Sequence, residues 1–183
     1  MTTSTKSQQE FLGFAYGFLS ILIFSITLPA TQMAIAGGFD PVFVGLGRAV
    51  VAAILSLILL VVTRQKIPSW RFLPKFAIVV VGVIIGFPLL SALAMRDAPA
   101  SYGAVITGLL PLATAVFGAW RAGERPSLSF WIWAIAGSSL VVAFALISGA
   151  GGLRFADLAL LGAVAAAGLG YAEGAVLAKT FGA

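Results

Sequence analysis

Six stretches of the chain are almost continuously apolar, at about residues 11–35, 41–62, 76–95, 102–120, 128–148 and 158–178, with short polar breaks between them. Each approaches the roughly 20 residues that a helix needs to cross the hydrocarbon layer. Barrel strands are about half as long and alternate apolar with polar positions, which these runs do not. In lipid every backbone N–H and C=O must be satisfied within the segment, and that leaves helices. The pattern predicts an all-α membrane protein with about six transmembrane helices. The opening MTTSTKSQQE is polar and reads as a tail, residues 1–10. The run after it is too long for a signal-peptide core, and no small-x-small cleavage site follows cleanly, so it reads as a retained first helix.

Composition strengthens this reading. Hydrophobic residues make up 61% of the 183 residues and charged residues 9%, whereas a soluble domain carries about 25% charge. The mean hydropathy is +1.09. A chain so poor in charge cannot cover a water-facing surface. There is no cysteine and no histidine, which removes disulfides, thiol redox chemistry and the commonest metal ligands. No cofactor is implied.

The net charge of +5 would suit nucleic acid if it formed a patch, but the basic residues lie between the apolar runs. Lys6, Arg64, Lys66, Arg71, Lys75, Arg121, Arg125 and Lys179 fall on one side of the predicted bundle; Arg96 and Arg154 fall on the other. Such a bias sets orientation and predicts a cytoplasmic amino terminus. Trp70, Trp120, Trp131 and Trp133 sit near segment ends, as interfacial anchors do. Gly13 with Gly17, Gly82 with Gly86, and Gly170 with Gly174 have the spacing of close helix packing.

Against this background a few residues stand out. Arg48 is a lone charge in the second run, about 10 Å from its outer end at 1.5 Å per residue. A charge at a helix centre costs about 2.5–3.5 kcal/mol on insertion scales. Its helical neighbours Gly45, Ala52 and Ser56 are small, which leaves room for a polar, water-filled or protein-lined space. Two roles fit: a pathway residue that binds an anionic group, or a structural arginine bonded to free carbonyls of a neighbouring helix. Glu173 is the only carboxylate within the six runs. It suits proton coupling or substrate binding, or else an acid reaching the interface or pairing with Lys179.

Pro29, Pro88 and Pro111 each lie inside a run and free the carbonyl four residues earlier, on Ser25, Ile84 and Thr107. Broken helices near the midplane are where transporters bind substrate, although a proline also simply kinks a helix. An enzyme is not expected. No Ser–His, Cys–His or histidine–metal set exists, and Glu10, Asp40, Asp97, Glu124 and Asp157 fall outside the runs.

Several of these pieces, in order, resemble the EamA family of the drug/metabolite transporter superfamily. They are GRAVVAAIL with its early arginine, SALAMRDAPASYGAVITGLLPLATAVFGAW at the third-to-fourth junction, AGERPS with Gly123 and Glu124, and then Gly137 in the fifth helix. Two features depart from the family pattern. A Trp-Gly pair in helix 1 is replaced by IFSITLPATQ, with Phe24 and Ser25, and the fifth helix reads VVAFA where a second glycine is common.

The resemblance implies an inverted-repeat (5+5) bundle, with residues 11–149 as the first five-helix repeat and 150–183 as the first helix of an incomplete second one. Five is odd, so the second repeat would enter the membrane inverted, which suits alternating access. It also implies a secondary transporter, an exporter of small metabolites or drug-like compounds in exchange for protons, of which this chain is a truncated form. Arg48, Glu173, Pro111, Thr107, Ser91 and Tyr171 are the pathway candidates that follow, while Glu124 is expected to be a turn residue paired with Arg121 or Arg125. The alternative is a non-transporting six-helix protein that acts by association with other chains. The expected partners are the lipid bilayer and a small-molecule substrate, with homodimerisation as one route to completing the pathway.

Overall fold

The computed structural model describes residues 3–65, 68–148 and 154–181, with side chains described from residue 11 onward. Lys66, the side chain of Lys6 and the boundary expected between residues 149 and 150 lie outside the described residues. Among those described there is no strand. Six helical spans are long and apolar enough to cross a membrane: Phe11–Ala36, Pro41–Val62, Trp70–Ala94, Ala100–Ala122, Leu128–Ser148 and Phe155–Phe181. They are called spans 1 to 6 below.

Three of the six are interrupted, and each interruption lies beside one of the intramembrane prolines. Span 1 comprises α1 (Thr3–Ser25) and α2 (Thr27–Ala36), broken at Ile26. Pro29 cannot donate to Ser25, so the chain tightens there into a turn, with the Ile26 N–H bonded to the Ile23 carbonyl at 3.4 Å. The helix also reaches back to Thr3, so the polar opening continues α1 as backbone.

Span 2 is the single helix α3 (Pro41–Val62). Asp40 starts it: its Oδ1 accepts from the N–H groups of Val42 at 2.8 Å and Phe43 at 3.1 Å, and Pro41 supplies a preset φ at the first position. Asp40→Ala leaves those donors unbonded and is expected to lower stability by about 1 kcal/mol. Earlier thermal unfolding in detergent would register the loss, and an unchanged midpoint would count against the cap.

Span 3 begins at Trp70, six residues before the apolar pattern suggests. A 3-10 turn (Trp70–Phe72) leads into α4 (Leu73–Val79), with Pro74 at its start. A π-helical segment, Val80–Gly86, follows, and α5 (Phe87–Ala94) completes the span. The wide turns end at Pro88, where the missing N–H leaves the ordinary ladder incomplete. Span 4 is α6 (Ala100–Thr107) and α7 (Leu110–Ala122), broken at Gly108 and Leu109 just ahead of Pro111. Spans 5 and 6 are unbroken: α8 (Leu128–Ser148) and α9 (Phe155–Phe181).

Span 6 is the centre of the molecule. It packs against spans 3 and 4 along its length, while α8 carries no buried residue. The packing rests on small side chains. Ala156, Ala159, Ala163 and Ala167 of α9 are all at least 95% buried, the pattern by which membrane helices approach closely without a hydrophobic driving force. Two glycines at the contacts of span 6 show how close the backbones come. A Cβ on Gly82 would run into the Ala166 carbonyl, and one on Gly168 would lie 2.8 Å from Ala113 Cβ and 3.1 Å from Thr114 N. Of the three glycine pairs, Gly82 with Gly86 and Gly170 with Gly174 lie at the contact of spans 3 and 6, whereas Gly13 and Gly17 meet nothing within 4 Å.

Candidate functional site

Arg48 lies on α3 facing α2, half-buried, and its guanidinium donates to the Thr31 hydroxyl at 3.2 Å. Thr31 is 3% exposed and stands just beyond the Pro29 break. The arginine is therefore bound to a side-chain hydroxyl of the neighbouring helix and not to a freed carbonyl. Its small neighbours divide: Gly45 presses on the backbone of span 3, where a Cβ would lie 2.9 Å from Leu89 Cα, while Ala52 and Ser56 are exposed. No carboxylate among the described residues comes within salt-bridge distance of Arg48.

Glu173 is 3% exposed, and its partner is neither the interface nor Lys179. Its Oε2 accepts from both Nε and Nη2 of Arg121 at 3.1 Å. Arg121 sits in the last turn of α7, where a cation also complements the helix dipole. The pairing expected within AGERPS is corrected likewise. Gly123 takes a left-handed conformation (φ 65°) that ends α7, and this turns Glu124 across to Lys179 at 3.1 Å on α9. The reason is directional. The left-handed turn carries Glu124 out of register with its sequence neighbours and towards the end of span 6. Two ion pairs thus join the end of α7 and the turn after it to α9, at the end of the bundle that carries Arg64, Arg71 and Arg125, here called the basic end.

At the opposite end lies a cluster that the apolar pattern missed. The sixth span starts at Phe155, not at 158, so Asp157 belongs to its first turn and is a second buried carboxylate on α9. Tyr102 of α6 donates its hydroxyl to Asp157 Oδ1 at 2.7 Å, and the Arg154 N–H donates to Oδ2 at 2.8 Å. The Arg154 guanidinium lies 3.6 Å from Oδ1 and 5.2 Å from the Tyr102 ring centre. The Tyr102 hydroxyl and the carboxylate hold Arg154 in its charged form, raising its pKa further. Three hydrogen-bonding or charged contacts satisfy a carboxylate that burial alone would penalise. The Arg154-x-x-Asp157 spacing was the readable signal; Tyr102 is 55 residues away and left none.

The remaining candidates are scattered. Thr107 closes α6 and donates its hydroxyl to the Gly103 carbonyl at 2.7 Å. Ser91 is fully buried in α5 and donates to the Pro88 carbonyl at 3.2 Å. Tyr171 is 37% exposed, on the stripe of α9 that faces away from its neighbours. Pro111 and Gly108 line a cavity of about 490 Å³ between α7 and α8, together with Phe130, Trp133, Ser127 and Ser138. Gln32 was not singled out by its sequence context; its Oε1 accepts from the Ala100 N–H at 2.8 Å, capping α6 behind Pro99. Arg48 and Glu173 are not in contact.

An uncharacterized transporter of Bacillus subtilis (strain 168), YdeK, is 48% identical over 170 residues. The match covers 93% of this chain and 59% of the relative, so the chain spans well under two thirds of that protein's length. No solved structure gives a significant match. The profile of the EamA-like transporter family matches residues 11–149, from the first apolar position of span 1 to just past the end of span 5, and the chain belongs to that family.

Proposed function

We propose that the chain forms the first repeat, and the opening helix of a second, of a secondary transporter that exports small metabolites or drug-like compounds by alternating access. The observation that carries this reading is Arg48, a guanidinium inside an apolar span whose one described partner is the Thr31 hydroxyl. It retains donors for an anionic group, and a guanidinium binds such a group through paired, charge-assisted hydrogen bonds. The breaks beside Pro29 and Pro111 supply the discontinuous helices that transporters place around a substrate. Pro111 and Thr107 at one break, Ser91 and Tyr171 offer further pathway contacts. Glu173 is the protonatable group, its proton exchanged as the Arg121 pair forms and parts. The membrane is the inner (plasma) membrane, and the basic end with the amino terminus faces the cytoplasm. The protein is not an enzyme.

Flux in proteoliposomes, measured over a panel of small metabolites under an imposed pH gradient, tests the reading. Glu173→Gln is expected to flatten the pH dependence of that flux; an unaltered profile removes Glu173 from coupling. A second reading rests on α8, none of whose residues is buried. Here the chain associates with other helices, including a second copy of itself, without transporting. No flux for any of the panel, with stable co-purification of a partner chain, would favour it.

A further inference from the structure

The two polar clusters described above share a property that neither shows alone. Both fasten span 4 to span 6, at opposite ends. Both of their span 6 carboxylates, Asp157 and Glu173, belong to one uninterrupted helix, α9. They are sixteen residues apart, about 24 Å at 1.5 Å per residue, which approaches the thickness of the hydrocarbon layer. Their span 4 partners do not share a helix. Tyr102 is on α6 and Arg121 is on α7, with the Gly108–Leu109 break between them. Just beyond that break, Gly168 of α9 touches the Ala113–Thr114 backbone so closely that no side chain fits.

We propose that spans 4 and 6 form a two-ended gate: Arg121–Glu173, supported by Glu124–Lys179, closes the basic end, and Tyr102–Asp157–Arg154 closes the other. α7 pivots on the fixed contact at Gly168, and α6 moves separately on the other side of the Gly108–Leu109 break. Arg121 and Tyr102 are thereby positioning residues for the transport cycle. This rests on the transporter reading and adds to it which contacts must part, and in what relation.

Alternating access requires that one end open while the other stays shut. A continuous span 4 would transmit the loss of one cluster to the other, because a helix moves as a rigid rod. The break uncouples them: Pro111 cannot donate to the Thr107 carbonyl, and the Gly108 and Leu109 N–H groups bond back into α6 at 2.9 and 3.0 Å. Each half of span 4 is therefore satisfied within itself and can move without breaking the ladder of the other. The contact at Gly168 lies between the clusters and has no slack, so it serves as the fulcrum. Of the two fastenings at the basic end, Arg121–Glu173 is the stronger. Glu173 is buried and accepts two hydrogen bonds, whereas Lys179 and Glu124 are 70% and 43% exposed, and water weakens an exposed pair.

The chain has no cysteine, so single introduced thiols report on each end without interference. Leu177→Cys places one a turn beyond Glu173, and Ala159→Cys places one beside Asp157; both positions are buried. The full chain in proteoliposomes is labelled with a membrane-impermeant maleimide, without any substrate. Arg121→Ala or Glu173→Gln is expected to speed labelling at 177 by about tenfold, the population shift that 1.4 kcal/mol gives, and to leave 159 unchanged. Tyr102→Phe is expected to do the reverse. The exchange Arg121→Glu with Glu173→Arg should restore protection at 177. Pro111→Ala, which returns the missing N–H, should make both thiols respond to a single variant.

Labelling that rises at both ends in every variant, or at neither end, would overturn the gate. So would an exchange variant that labels as fast as Arg121→Ala. Where Arg121→Ala fails to insert, Glu173→Gln, which removes one charge at nearly constant shape, decides the basic end. The readout needs no flux. A protein that labels as expected yet moves nothing across the bilayer would retain the gate and lose the transporter reading, and the opposite result would do the converse.

Discussion

Arg48→Ala is expected to abolish transport while the protein still inserts and accumulates in the membrane. On the proposed function the guanidinium would be the charge that receives an anionic substrate, and Thr31 holds it in place at 3.2 Å. Hydrogen bonds to charged groups contribute about 1.5–3 kcal/mol, so losing the upper figure slows flux by about a hundredfold at 1.4 kcal/mol per decade. Insertion should not suffer, because alanine removes a residue that costs about 2.5–3.5 kcal/mol at a helix centre. The two readouts therefore move in opposite directions, which separates a pathway arginine from a structural one. A structural arginine would take expression and flux down together. Thr31→Val provides the companion measurement: it keeps the shape, removes the hydroxyl, and should weaken flux less than Arg48→Ala.

Gly82→Val carries the largest expected effect on folding. A Cβ at this position runs into the Ala166 carbonyl of span 6, and Gly170 Cα lies 3.3 Å from it. Backbone cannot yield as a flexible side chain does, so spans 3 and 6 must separate. Overpacking typically costs about 1–3 kcal/mol, and the loss of the neighbouring alanine contacts on α9 adds to it. The expected outcome is a protein that aggregates on extraction into detergent, with little folded material on size exclusion. Gly13→Val is the control, since nothing lies within 4 Å of it, and it should behave as the parent does. Equal behaviour of the two variants would mean that spans 3 and 6 do not meet at Gly82.

Much of the fold was legible because lipid is a simple solvent. Six apolar runs of membrane-crossing length could only be helices, and the three intramembrane prolines marked the three interrupted spans. Errors came at the ends of elements. Span 3 begins at Trp70, and Arg71 and Lys75 therefore lie on the helical segment and not in a loop. Polar residues extend a helix beyond its apolar window when water or a partner satisfies them. Asp157 was misjudged for the same reason. A carboxylate in a first turn looks like a loop residue until the tyrosine that buries it is known.

The candidate site divides along the same line. Arg48, Glu173 and Pro111 were conspicuous because each breaks an apolar pattern, and a polar group in hydrocarbon needs a cause whatever surrounds it. Their partners were invisible. Arg121 looked like one more basic loop residue, Thr31 like a neutral helix residue, and Tyr102 like an ordinary aromatic. Periodicity relates residues three or four apart on one helix, whereas these contacts join residues 17, 52 and 55 apart.

By itself, the sequence determined the number of spans, their helical nature and the places where they break, because those depend on local covalent chemistry and on the cost of leaving a peptide group unbonded in lipid. Which helix lies at the centre, and which charge neutralises which, was decided only in three dimensions. There, glycine and alanine let spans 3, 4 and 6 close to backbone contact, and that approach sets Arg121 opposite Glu173 and Tyr102 opposite Asp157.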